Sequence, residues 1–191
     1  MHTSSSVPEH EVAAQSGSVQ ANQEANRPVV LGERSLWLLA LVRMLTGWLW
    51  FQQLFWKMPP DFTGLHRYVV KESTATFLPG YAFIIQHVFL SHFLLLGAFT
   101  WGAELLVALL LLLGVFSRLG ALLGTLLALQ LYVGLSAAPG EWYWTYGMLV
   151  LLSLALVAVP TGRRLGLDQW LSVRLAHVPT ARLVRVLRAL V

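Results

Sequence analysis

The sequence predicts an all-α integral membrane protein, a four-helix bundle with a surface amphipathic helix after its first span and a basic amphipathic helix at its C-terminus. Composition is the first reason: 57% of the 191 residues are hydrophobic and only 12% are charged, whereas a soluble domain is about a quarter charged. Distribution is the second. The apolar excess lies in long blocks between Leu36 and Val159, each long enough to cross about 30 Å of hydrocarbon.

Residues 1–34 are rich in Ser, Gln, Asn and Ala and carry no apolar period, which predicts a disordered polar tail. They lack the basic and apolar regions of a signal peptide. The first span is SLWLLALVRMLTGWLWFQQLFWK, 35–57, with Trp37 and Trp56 at its ends, where interfacial aromatics belong. Pro59 and Pro60 stop it. In 61–80, Leu65, Tyr68 and Val69 share a helical face while His66, Lys71 and Glu72 fall off it; this predicts a short helix on the membrane surface.

The apolar run 81–116 is too long for one span. Gln86, His87, Ser91 and His92 mark a break between a half-buried helix at 81–90 and a span at 93–116. Spans at 118–137 and 142–160 follow, separated by Pro139-Gly140. The four-span domain therefore covers 35–161, and 162–191 is a basic tail. In that tail Arg182, Arg185 and Arg188 recur every three residues opposite Leu183, Leu187 and Leu190, a pattern that suits an anionic leaflet.

The charge of +4 and pI of 9.9 belong to basic residues beside apolar blocks. They point to a lipid face and not to nucleic acid. With both termini cytoplasmic, the inner side carries Arg27, Arg34, Arg118, Arg163, Arg164, Arg174, Arg182, Arg185 and Arg188, against Lys57, Arg67 and Lys71 outside; that excess sets the orientation. No cysteine is present, which excludes disulfides, thiolate catalysis and cysteine-held metal. His87 and His92 do not share a helical face and the later spans contain no histidine, so neither haem nor another metal is expected.

Two charges fall within the spans, Arg43 and Glu104. An isolated ion at a helix centre costs about 2.5–3.5 kcal/mol. Counted from the inner ends of spans one and two, they are offset by roughly 7 Å of rise, so an Arg43–Glu104 pair across those spans is expected. Two readings of such a pair stay open: it fixes helix register only, or it forms a site. Lys57, at the outer end of span one, either snorkels to the interface or joins that site. Gln52, Gln53 and Gln130 offer hydrogen bonds to a quinone carbonyl or to neighbouring helices. Gly114, Gly120, Gly124 and Gly134 suit close helix contact.

Arg43, Gly47 and Lys57 in the first span, Glu104 in ELLVALLLLLG, Gly114 with Ser117-Arg118, and Gly162 with Leu167-Asp168 in TGRRLGLD together resemble the pattern of the DoxX/DoxD-like membrane proteins. The resemblance covers 35–168. The longer segment 58–92 is more like the DoxD branch, and the basic C-terminal helix departs from the short members. The resemblance implies a bacterial inner-membrane protein and a role in membrane oxidation–reduction. The DoxD branch looks like the membrane subunit of thiosulfate:quinone oxidoreductase.

The function expected is a subunit of a quinone-linked oxidoreductase. Glu104 and Arg43 are the expected catalytic residues, Lys57, Arg118 and Gln52 the expected quinone contacts, and Lys57 with Arg67 attracts an anionic substrate. The lipid bilayer, other membrane or soluble redox subunits, and further copies of the chain are the expected partners. Two rivals stand beside it: an accessory or assembly subunit of a larger respiratory or photosynthetic complex, and a small-solute transporter.

Overall fold

A computed structural model describes residues 33–159 and 166–176. Most of the N-terminal tail, Gly162 and the Arg182–Arg188 repeat lie outside these residues. Every regular element described is helical. Helix α1 (Glu33–Gln53) continues through a 3-10 turn, Phe55–Lys57. Helix α2 (Thr63–Ala75) follows. Helix α3 (Pro79–Ile84) opens on a proline at its first position, where the missing N–H is no loss. It runs through a π turn, Ile85–Phe89, and a 3-10 turn, Leu90–His92, into α4 (Phe93–Leu113). The expected break falls in these two turns. Helices α5 (Ser117–Leu135), α6 (Tyr143–Ala158) and α7 (Leu167–Ala176) complete the described chain.

Among the described residues, three segments are long and apolar enough to cross a membrane: Glu33–Lys57, Pro79–Leu113 and Ser117–Leu135. Tyr143–Ala158 is apolar but shorter. Helix α1 packs on α4, α4 on α5, α5 on α6, and α6 touches α1. The core between them holds Trp50, Val107, Leu111, Ala121, Ala128 and Leu156. The opposite faces expose large apolar side chains, among them Leu38, Leu45, Leu95, Phe99, Leu126 and Leu151. Such continuous apolar faces would be untenable in water and suit lipid.

Small residues set the helix spacing, as expected. A Cβ on Gly47 would lie 2.9 Å from the Leu112 nitrogen, one on Gly120 2.8 Å from Leu110 Cβ, and one on Gly124 3.2 Å from Val107 Cγ1.

The turn between α4 and α5 is tied to the start of α7. Gly114 caps α4 with φ 62°, in the left-handed region, and its N–H donates to Leu110 O. The buried Asp168 carboxylate accepts the N–H groups of Phe116 (2.6 Å) and Ser117 (3.0 Å) and the Ser117 hydroxyl (2.7 Å). Its own N–H donates to Gly114 O at 2.8 Å. A carboxylate from 52 residues away thus caps the N-terminus of α5, where the exposed amides and helix dipole favour negative charge. Arg43, fully buried, donates from Nη1 to Leu111 O at 2.8 Å in the last turn of α4 and feels the Asp168 charge. Arg43, Gly114, Ser117 and Asp168, four positions of the expected sequence pattern, therefore meet at one end of the molecule.

Candidate functional site

The opposite end holds a partly open cavity of about 570 Å³. Its walls are mostly apolar and aromatic, with Trp50, Trp56, Tyr68, Phe89 and Trp142 among them. Into it turn Lys57, Glu72, Tyr81, Glu104, Gln130 and Glu141.

Glu104 is buried, but its partner is Lys57 and not Arg43. Lys57 Nζ donates to Glu104 Oε1 with both side chains enclosed. The expected Arg43–Glu104 pair is corrected by helix register. Arg43 sits beside Leu111, and Glu104 lies seven residues, about 10 Å, further along α4 toward the Lys57 end. Lys57 does not snorkel to an interface: it is 2% exposed, with its ammonium 4.7 Å from the Trp56 ring centre. Glu104 Oε2 is buried and has no hydrogen-bond partner among the described residues.

Beside this pair, Glu72 Oε2 accepts from Tyr81 Oη and from Gln130 Nε2, each at 2.8 Å. Gln130 Nε2 also donates to Tyr81 Oη at 2.6 Å. Glu72 was expected off the apolar face of a surface helix. The structure corrects this. Leu65, Val69, Glu72 and Ser73 form the buried stripe of α2, and Thr76 Oγ1 donates to Val133 O at 2.8 Å, tying the end of α2 to α5. Gly134 makes room, since a Cβ there would stand 2.8 Å from Glu72 Cδ. The signal available in the sequence was the helical spacing 65, 69, 72, 73, which puts the glutamate in line with the leucine and the valine.

At the rim, Lys71 Nζ donates to Glu141 Oε1 at 2.6 Å and Tyr146 Oη to Glu141 Oε2 at 2.7 Å. The Lys71 hydrogen bond holds the Glu141 carboxyl below the usual carboxylate range.

Burial pushes the Glu72 carboxyl up from its ordinary 4.5 to about 7, against the opposing hydrogen bonds from Tyr81 and Gln130. A raised folded-state value means the folded chain holds this proton more tightly than the unfolded chain. The stabilisation is full below 4.5 and is lost as the pH rises through about 7. In detergent, the thermal midpoint of the wild type should therefore fall across that window, and that of Glu72→Gln should stay flatter. Parallel slopes in the two proteins would contradict the assignment.

Of the other residues singled out in the sequence, Arg43 and Arg118 do not line the cavity. Arg43 belongs to the Asp168 end, and Arg118 is half-buried near the start of α5. Gln52 and Gln53 are both exposed, but Gln53 lines the cavity, accepting from Trp56 Nε1 at 2.9 Å, and Gln52 does not. Among the described residues no group of three or more His, Asp or Glu side chains is arranged to hold a metal ion. Comparison with family models, curated proteins and solved structures yields no match to this chain.

Proposed function

We propose that the chain is a DoxX/DoxD-like membrane subunit of a quinone-linked oxidoreductase. In this reading four helices cross the bacterial inner membrane, with both termini cytoplasmic. The fourth is α6, whose 16 residues rise about 24 Å, and the Asp168 end faces the cytoplasm. One observation carries the proposal: a mostly apolar, aromatic-walled cavity gathers a buried ion pair, a second buried carboxylate and side-chain donors. An amphipathic ring with polar edges suits such a space.

The fit to a quinone rests on the Lys57 donor and on one orphaned acceptor. Lys57, whose ammonium keeps N–H groups beyond the one given to Glu104, would donate to a ring oxygen, and the unpartnered Glu104 Oε2 would accept from a ring hydroxyl, with Tyr81 and Gln130 holding Glu72 beside them. When bound, a quinone supplies two-electron chemistry, taking up two electrons and two protons to become the quinol. The chain's own part is to hold the ring, exclude water and keep an exchangeable proton on the carboxyls of Glu104 and Glu72. A buried carboxyl that holds its proton to about pH 7, as Glu72 does, suits that task. Electrons come from a partner subunit or its substrate, thiosulfate in the DoxD-type reading. Glu104 remains in the proton role expected of it, Lys57 replaces Arg43 beside it, and Gln53 takes the place of Gln52.

The test is purification of the tagged chain in gentle detergent, with mass spectrometry of what accompanies it and extraction of bound quinone. About one quinone per chain, lost in Glu104→Gln while that variant stays monodisperse, is the expected result. A large complex without quinone on this chain would instead support the accessory-subunit reading. Solute uptake by the chain alone in vesicles would support the transporter.

A further inference from the structure

The three most deeply buried charged groups around the cavity do not balance. Lys57 is 2% exposed, Glu104 2% and Glu72 3%. All three line the same space. The other lysine near it, Lys71, is a third exposed and is taken by Glu141 at the rim. Arg43 lies at the far end with Leu111 and Asp168. Two carboxylates thus share one ammonium in a site walled by apolar and aromatic side chains. An uncompensated buried charge is expensive, and groups so placed neutralise instead.

We propose that Lys57, Glu104 and Glu72 together hold one exchangeable proton, making the cavity a proton store. The groups facing it from each surrounding element fit this role. Lys57, from the end of α1, is bound to Glu104 of α4. Tyr81 of α3 and Gln130 of α5 bind one Glu72 oxygen. Tyr68 and Lys71 lie on the same helix as Glu72, and Tyr146 of α6 is turned to Glu141. None of these adds a second positive charge to the buried trio. Electrostatic coupling of Glu72 to both Lys57 and Glu104 makes the three titrate as a unit, so the proton belongs to the trio and not to one residue. Glu104 Oε2, buried and unpartnered, is where that proton meets the cavity. The inference deepens the quinone reading by naming the source of one of the two protons that quinol formation takes up, the second coming from solvent. It rests on that reading only for the use of the proton, not for its presence.

Infrared titration of the full chain in detergent, without added quinone, tests it through the carbonyl band of a protonated carboxylic acid. Wild type should show one such group, lost with a midpoint near pH 7. Glu72→Gln should lose the band, because the remaining Lys57–Glu104 pair is neutral. Glu104→Gln should lose it too, as Lys57 then compensates Glu72. Lys57→Met should double the band and carry it to higher pH, because both carboxyls must then be protonated. No band in wild type at mildly acid pH, or the same band in Glu72→Gln as in wild type, would overturn the proposal. If Lys57→Met does not fold, the Glu72→Gln comparison decides alone. A proton present in a chain that binds no quinone would leave the store standing and defeat the quinone reading.

Discussion

Gly114→Ala will unfold or prevent assembly of most of the protein. Its left-handed backbone, φ 62°, costs a non-glycine residue about 1–2 kcal/mol. The added methyl group is the larger effect. It would stand 2.0 Å from Arg43 Nη1 and 2.7 Å from Gly166 Cα. Relief requires the buried Arg43 Nη1 to give up the Leu111 carbonyl, or requires the Gly166 backbone to retreat and draw Asp168 off the start of α5. Either outcome brings the total above about 4 kcal/mol, the range reserved for a few named mechanisms. Gly140 is the internal control. It also has positive φ, 79°, but nothing lies within 4 Å of a Cβ there, so Gly140→Ala should show the backbone penalty alone. Monodisperse yield and thermal midpoint in detergent will separate the two. Equal losses would mean that the crowding around Arg43 is not what matters.

The second large effect is at the buried ion pair. Lys57→Ala leaves Glu104 enclosed with no counter-charge, a change that costs about 3–5 kcal/mol when a buried pair loses one member. The loss should be greatest at alkaline pH and shrink on acidification, because a proton on Glu104 removes the uncompensated charge. Replacing both residues by apolar side chains of similar volume should recover much of the stability, since well-packed hydrophobic replacements of buried pairs are often neutral. A double-mutant cycle of thermal or denaturant unfolding in detergent measures this. A double variant as unstable as Lys57→Ala alone would show that packing, and not charge, dominates at these positions.

Reading the sequence led directly to the helical elements. Their positions follow from apolar blocks bounded by Pro59, Pro79 and Gly140, and these signals are local; the span expected over 93–116 ends sooner, at Leu113, where Gly114 caps it. What connects the helices is not local. Arg43 and Glu104 both stood out, yet pairing them required the register of α1 against α4. Close contact at Gly47 sets that register and places Lys57 beside the glutamate. Glu72 was assigned to water because polar residues of a short amphipathic helix usually go there. Only the position of α5, with Gly134 opposite, turns it inward. Asp168 was visible as part of an LD ending, but no periodicity reveals that it caps a helix beginning at Ser117. In each case the residue type was legible and its partner was not, because partners are chosen by packing between segments far apart in the chain.

The contact between Gly134 and Glu72 also has a consequence for how the two positions tolerate change. A side chain at that position and the enclosed Glu72 carboxylate exclude one another, since even a methyl carbon would meet Glu72 at 2.8 Å. Positions 72 and 134 are therefore coupled: a residue larger than glycine at 134 must displace the Glu72 carboxylate from its place, and a smaller side chain at 72 removes that constraint.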